Sequence, residues 1–260
     1  MTTTTTTTTL ARETTTRATI ALVTGATRGI GRETVRQLAA SGMTVYLGAR
    51  DPARGERAAA ELADAGDVRS LRLDVTDAES ITAAVERLER EAGRLDVLVN
   101  NAAVNNDLHA TGVTPVAEVA ADAVRATFDT NVVGLIAVTN ALLPLLRRAE
   151  AGRIVNMSSA IASLTQLADP TSGAATRRML AYAASKAAVN AITLIYANDL
   201  RESGIRVNAA DPGFVATDMN DHQGVLTVEQ GAAVPVRLAA GRPDGPGGEF
   251  IGQDGQAVPW

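Results

Sequence analysis

Two residues set four positions apart carry the most chemistry in this chain: Tyr182 and Lys186, in Tyr182-Ala183-Ala184-Ser185-Lys186. On a helix that spacing puts both side chains on one face. A phenol with a pKa of about 10 exchanges protons poorly at neutral pH, and a neighbouring ammonium favours its ionised form. The pair therefore reads as a tuned acid/base. The bland alternative is a packed tyrosine beside a solvated lysine. Against it stands composition: of 24 basic residues only Lys186 is lysine. Arginine does not substitute where an ammonium has to be buried and tuned.

A second cluster lies upstream, in Thr24-Gly25-Ala26-Thr27-Arg28-Gly29-Ile30-Gly31. It follows a β-branched run and opens an amphipathic segment, the context in which a glycine turn lets backbone N–H groups approach a pyrophosphate at a helix N-terminus. Gly25, Thr27, Arg28, Gly29, Ile30 and Gly31 form this candidate cradle. The spacing is G-x-x-x-G-x-G rather than the commoner G-x-G-x-x-G. Nucleotide choice is expected at the end of the next strand, where an acidic residue binds a ribose 2′-hydroxyl and an arginine accepts a 2′-phosphate. Arg50 and Arg54, with Arg28, point to NADP(H), NAD(H) remaining possible. Asp51, just before Pro52, reads as a helix cap.

These residues need a frame. From Ala18 onward short β-branched runs alternate with longer amphipathic segments, the pattern of βαβ units and a doubly wound α/β parallel sheet. Candidate strands cover 20–24, 44–49, 68–73, 96–100, 153–157, 206–210 and 249–252. Candidate helices cover 30–41, 52–65, 77–92, 116–148, 180–202 and 227–240. Ligands of such sheets sit beyond the carboxyl ends of the strands. Two long interruptions on that side, 160–179 and 213–226, are lid candidates.

The whole is 260 residues, 46% apolar and 20% charged, enough for one α/β domain over 18–260. A threonine-rich leader, 1–17, is expected to be disordered. A net charge of -5 argues against nucleic acid and anionic membranes as partners and leaves small molecules. There are no cysteines, and the two histidines, His109 and His222, lack ligand spacing, so no metal is expected. No run of about 18 uninterrupted apolar residues and no apolar signal core occur, which reads as a cytoplasmic protein.

With these residues assembled, the chain resembles the classical short-chain dehydrogenase/reductase family, whose hallmarks are T-G-x-x-x-G-I-G and Y-x-x-x-K. The resemblance runs over nearly everything after residue 17. It extends to Asn100-Asn101-Ala102, Asn131, Ser158-Ser159, and Pro212-Gly213 with Thr217. It implies a Rossmann-type sheet of seven parallel strands, order 3-2-1-4-5-6-7, with helices on both faces. It implies carbonyl reduction to an alcohol, reversible, with hydride from the nicotinamide and a proton from Tyr182. Ser159, rather than Ser158, would bond the substrate oxygen, Lys186 would hold the ribose, and Asn131 would anchor a proton-relay water. Asp74 and Val75 would lie on the adenine side, Asn101 and Ala102 along the floor, and Pro212, Gly213, Val215 and Thr217 near the nicotinamide.

Two departures from the family pattern matter. Ala103 stands where glycine is usual. Tyr182 follows Ser159 by 23 positions, about twice the usual separation, so 167–180 forms an insertion. A similar insertion and a C-terminal run ending in Pro259-Trp260 mark the carbonyl-reductase-like subgroup, where the insertion can block the usual dimer face, so both monomer and homo-oligomer are open. The loops flanking the site are rich in Leu, Met and Phe, which suits an apolar ketone or aldehyde. Two other readings differ in kind: an NAD-dependent secondary-alcohol dehydrogenase, and a catalytically silent protein that senses NADP(H).

Overall fold

A computed structural model describes residues 17–109, 112–241, 245 and 247–260. The threonine-rich leader, apart from Arg17, lies outside the described residues. Seven parallel strands form one sheet: β1 Ile20–Val23, β2 Thr44–Ala49, β3 Val68–Arg72, β4 Val97–Asn100, β7 Arg153–Met157, β8 Arg206–Ala210 and β9 Phe250–Ile251. Their order is β3-β2-β1-β4-β7-β8-β9. This is the order implied by the resemblance, because β5 Leu108–His109 and β6 Gly112–Val113 form a separate antiparallel pair in the loop after β4.

Alternation along the strands divides the core in two, since successive side chains leave opposite faces. Ile20 and Leu22 of β1, Tyr46 of β2, Leu98 of β4 and Ile154 of β7 face one layer, filled by Ile81 and Leu88 of α3 (Ala78–Glu91) and Val138 and Leu142 of α5 (Leu135–Leu146). Ala21, Val23, Val45, Leu47, Val97 and Val99 face the other. There they meet Val35 and Leu38 of α1 (Gly29–Ala40), Ala58 of α2 (Pro52–Glu61) and Val234 of α9 (Val228–Ala240). Strands buried on both faces read as continuous apolar runs, which is why the sequence located them well.

The segment expected as one helix, 116–148, is broken. It contains α4 (Ala121–Phe128), one π-helical stretch over Asp129–Gly134, and α5. The π stretch carries Asn131 and ends at Gly134, where a Cβ would stand 2.8 Å from the Val75 carbonyl oxygen. One short helix, α6 Leu164–Leu167, leads into the insertion, and a second, α7 Gly173–Arg177, lies within it before α8 (Leu180–Asp199). By length and composition Ala121–Leu146 and Leu180–Asp199 could each cross a membrane, with mean hydropathies of 1.4 and 1.2. Their buried residues, among them Asn131, Leu142, Ser185 and Val189, instead pack within the fold.

A polar seam runs through this apolar interior. Asn100, ending β4, donates to Thr139 Oγ1 of α5 at 3.0 Å and to Asn156 Oδ1 of β7 at 2.9 Å. Asn156 in turn donates to Thr193 Oγ1 of α8 at 2.9 Å. One continuous chain therefore ties the two long helices to neighbouring strands just below the strand ends. Buried amides of this kind add little net stability when satisfied and cost much when orphaned. Asn156→Ala is expected to lower unfolding free energy by roughly 1–3 kcal/mol. Urea denaturation followed by circular dichroism would measure it.

Candidate active site

The carboxyl ends of β1, β2, β3, β4 and β7 open onto a cleft of about 360 Å³. Its floor begins at the glycine turn. Gly25 and Gly29 adopt φ of 61° and 56°, a left-handed conformation that glycine enters without a Cβ penalty. A Cβ on Gly25 would stand 2.8 Å from the Ala102 Cα, and one on Gly31 would run into the Asn101 amide. Asn101 fastens the turn from below, donating to the carbonyls of Thr24 and Gly25 at 2.8 and 3.1 Å. Thr24 Oγ1 accepts from the N–H groups of Asn101 and Ala102. Among the described residues no side chain caps α1, whose first turn, Gly29 to Gly31, lines the cleft where an anion would sit. This cradle fits a dinucleotide pyrophosphate. Ala103 lines the cleft and keeps φ below zero, so alanine replaces the family's glycine without backbone strain.

All three arginines expected at the ribose end line the cleft rim, with unequal freedom. Arg28 is engaged, its Nη1 lying 2.7 Å from Asp218 Oδ2, and His222 Nε2 meets the other oxygen of Asp218 at 3.0 Å. Arg54 leans on Asp51 at 3.6 Å. Asp51 caps α2 as expected, accepting from the N–H groups of Ala53 and Arg54. Arg50 is exposed. Asp74 accepts from both the N–H and the hydroxyl of Thr76, and Val75 is buried beside it, both on the cleft wall.

Tyr182, Lys186 and Asn190 recur every four residues along one face of α8. Lys186 is buried, 3% exposed, and its Nζ donates to the Met157 carbonyl at the end of β7 at 2.7 Å. Nζ lies 5.6 Å from the centre of the Tyr182 ring. Burial lowers the Lys186 ammonium from an ordinary 10.5 to about 8. Burial, and then the nearby Asp211 carboxylate, push the Tyr182 phenol above its ordinary 10. The sequence suggested the opposite direction for the phenol. Here burial and a carboxylate dominate, and at neutral pH Tyr182 keeps its proton.

Asp211 was not anticipated. It follows β8 directly, is 6% exposed, and accepts from the Gly213 N–H at 3.1 Å. Burial raises its carboxyl pKa, while the Gly213 and Ala160 amides pull it back down.

The serine pair separates by partners. Ser158 is 2% exposed and donates to Asn190 Oδ1 at 2.6 Å, whereas Ser159 begins the following turn with no side-chain bond among the described residues. Ser158 lines the cleft and Ser159 stands just outside its lining. Asn131 also lies behind the wall. Its Oδ1 accepts from the Val104 N–H at 2.8 Å, and its two amide hydrogens go to the Val104 carbonyl and Ser185 Oγ. That amide has no donor left for a relay water, so its visible part is to brace the loop after β4.

On the far side Pro212 and Thr217 line the cleft, while Gly213 and Val215 are not part of its lining. Thr217 lies against Gly29 and begins a turn closed by Asn220, which also donates to the Val215 carbonyl at 2.9 Å. Sequence reasoning named Met219 for the pocket and missed Ala49, Leu73, Thr76, Val104, Thr130, Met157 and Asp218, which also line the cleft. Apolar residues at strand ends carry no signal separating cleft wall from core.

Comparison with known proteins places this geometry. Residues 19–224 match the family model described as short chain dehydrogenase. The chain is 34% identical to carbonyl reductase (NADPH) 1 of Sus scrofa, over 93% of this chain and 94% of that one. It is 35% identical to (+)-neomenthol dehydrogenase of Arabidopsis thaliana, over 84% and 90%. The NADPH-bound carbonyl reductase from chicken fatty liver superposes with a TM-score of 0.81 at 27% identity, over 94% of this chain and all of that one. Glycine cradle, Tyr182–Lys186 face and sheet order thus agree with sequence likeness, and the chain belongs to the short-chain dehydrogenase/reductase family of oxidoreductases, on its carbonyl-reductase-like side.

Proposed function

We propose that this enzyme reduces ketones and aldehydes to alcohols with NADPH, Tyr182 supplying the proton. The observation that carries the reading is a tyrosine on the same helix face as a buried lysine, the Lys186 Nζ 5.6 Å from the Tyr182 ring centre, at a glycine-floored cleft. The NADPH in the names of the pig and chicken relatives supports the cofactor.

Bound in the cleft, the cofactor supplies the hydride. The chain's own groups do the rest. Tyr182 gives its proton to the substrate oxygen as charge develops there, and Ser159, whose hydroxyl is uncommitted, donates a hydrogen bond to the same oxygen. Lys186 spends one N–H on Met157 and keeps two for ribose hydroxyls. The first turn of α1 takes the pyrophosphate, Asp74 and Val75 flank the adenine, and Pro212 and Thr217, together with Gly213 and Val215, frame the nicotinamide. Asn131 acts through Val104 and Ser185. An apolar substrate suits Leu164 and Leu180, at the starts of α6 and α8, and Met219 and Val225 after β8, whose side chains stay exposed. We assign this activity to one catalytic domain, 18–260, working in the cytoplasm.

One observation favours a second cofactor reading. Asp51 lines the same rim, where a carboxylate would meet a free ribose 2′-hydroxyl and favour NAD(H). Its commitment to capping α2 and to Arg54 weighs against that. Arg50 then becomes the discriminating group. Arg50→Ala is expected to raise KM for NADPH roughly tenfold, the worth of one charge-assisted phosphate contact, with little change for NADH. Equal KM changes for both cofactors would remove Arg50 from the phosphate site.

Tyr182→Phe is expected to lower NADPH-dependent reduction of a ketone panel by roughly 10²–10⁴-fold while NADPH still binds. A wild-type protein that binds NADPH and reduces no panel member would favour the silent sensor instead. The Lys186 charge gives a pH signature: the ammonium is present below about 8 and is lost above it. Since kcat/KM for NADPH reports groups of the free enzyme, it is expected to fall as pH climbs through about 8. In Lys186→Met this limb is expected to vanish along with most of the activity.

A further inference from the structure

Helix α8 carries the acid/base pair, and its sequence gives it no start of its own. Its N-cap position is Met179, which cannot accept a hydrogen bond from the first turn as Ser, Thr, Asp or Asn would. The residue before it, Arg178, ends α7 in the left-handed conformation at φ 51°, and no side chain at the N-cap position closes α8. Ala181 in that first turn is buried and Tyr182 partly so, and their backbone N–H groups need an acceptor.

The acceptor arrives from 75 residues away. Asp107, in the loop after β4, is fully buried at 0% exposure. Its Oδ2 accepts from the backbone N–H of Tyr182 itself at 2.7 Å, and its Oδ1 from the N–H of Ala181 at 3.2 Å. The carboxylate is held from behind. Its own N–H donates to Asn105 Oδ1 at 3.1 Å, and its carbonyl accepts from the Thr114 N–H at 2.8 Å. The same loop is bonded to the opposite helices, with Val104 exchanging two hydrogen bonds with Asn131 and Asn106 donating to Thr127 Oγ1 at 3.0 Å. No cationic side chain pairs with Asp107 among the described residues. A buried negative charge without a counter-cation is tolerable at the positive end of a 20-residue helix, where dipole and N–H groups stabilise it together.

We propose that Asp107 is a positioning residue for the reaction, a cap supplied in trans by the β4 loop that fixes the first turn of α8 and so the place of the Tyr182 phenol. This rests on Tyr182 being the proton donor. Asp107 touches neither substrate nor nicotinamide in this account. Its effect passes through one backbone N–H, and a shift of about an ångström at the reacting group is enough to cost up to roughly a hundredfold in rate. The loop is thereby coupled to catalysis: what moves 104–107 moves the tyrosine.

The test compares wild type, Asp107→Ala, Asp107→Asn and the double variant Asp107→Ala/Met179→Asp, which returns a cap from the local N-cap position. Amide hydrogen exchange over 180–186 is read beside kcat and the NADPH dissociation constant. Asp107→Ala is expected to exchange faster at the start of α8 and to lose roughly ten- to a hundredfold in kcat, with NADPH affinity within about threefold. The double variant is expected to recover protection and most of the rate, which mere loss of a buried loop contact would not allow. Should Asp107→Ala fail to fold, Asp107→Asn, which keeps one acceptor oxygen, takes its place in the same comparison. Unchanged exchange, a kcat within twofold of wild type, or a loss of NADPH affinity in proportion to kcat would each overturn the proposal. A wild type with no turnover would count against the proposed reaction, while the exchange arm would still decide the cap.

Discussion

Keeping an ammonium and a phenol together on one helix face at the cleft is the constraint on which the rest of this structure depends. Lys186 is almost wholly enclosed, and burial already weakens its hold on the proton. A buried charge survives only where polar groups meet it. The Met157 carbonyl at the end of β7 does so, which requires α8 to cross the sheet at a fixed height and β7 to stop where it does. Tyr182 then follows one turn earlier on the same helix face. Its protonated state at neutral pH follows from the same burial, assisted by the carboxylate of Asp211.

Precision at that pair comes from amides and carboxylates rather than from the apolar core. The seam from Thr139 through Asn100 and Asn156 to Thr193 locks α5 and α8 to the strand ends. Asn101 holds the glycine turn, Asn131 holds Val104, Asn190 holds Ser158, and Asp107 holds the start of α8. Apolar packing tolerates exchange among shapes of similar volume, whereas a satisfied polar network admits one arrangement. Asparagine, with both donor and acceptor on one short side chain, suits the task of tying two elements at once.

The sequence made the frame legible where the physics is local. Strands buried on both faces appear as runs such as Ile154-Val155 and Val97-Leu98-Val99, and the glycine turn and the Tyr182–Lys186 interval are contiguous patterns. What stayed hidden depends on distant partners. The π-helical stretch around Asn131 ends at Gly134, where the backbone approaches Val75 too closely for a Cβ, and nothing in 116–148 alone announces it. The pairing of Arg28 with Asp218 joins residues 190 positions apart, so the arginines looked equally free when they are not. The upward shift of Tyr182 comes from burial and from Asp211, neither of which the interval to Lys186 encodes. The cap on α8 is absent from its own sequence for the same reason.

The central claim is that Tyr182 delivers its proton as an apolar carbonyl accepts a hydride in this cleft. Single-turnover reduction of an apolar ketone by the preformed complex with NADPH, run in H₂O and in D₂O, reads that event without interference from product release. The account predicts oxidation of the bound cofactor in step with alcohol formation, slower in D₂O. Bound NADPH that stays reduced with every ketone and aldehyde offered, or an identical rate in the two solvents with the chemical step rate-limiting, would contradict it.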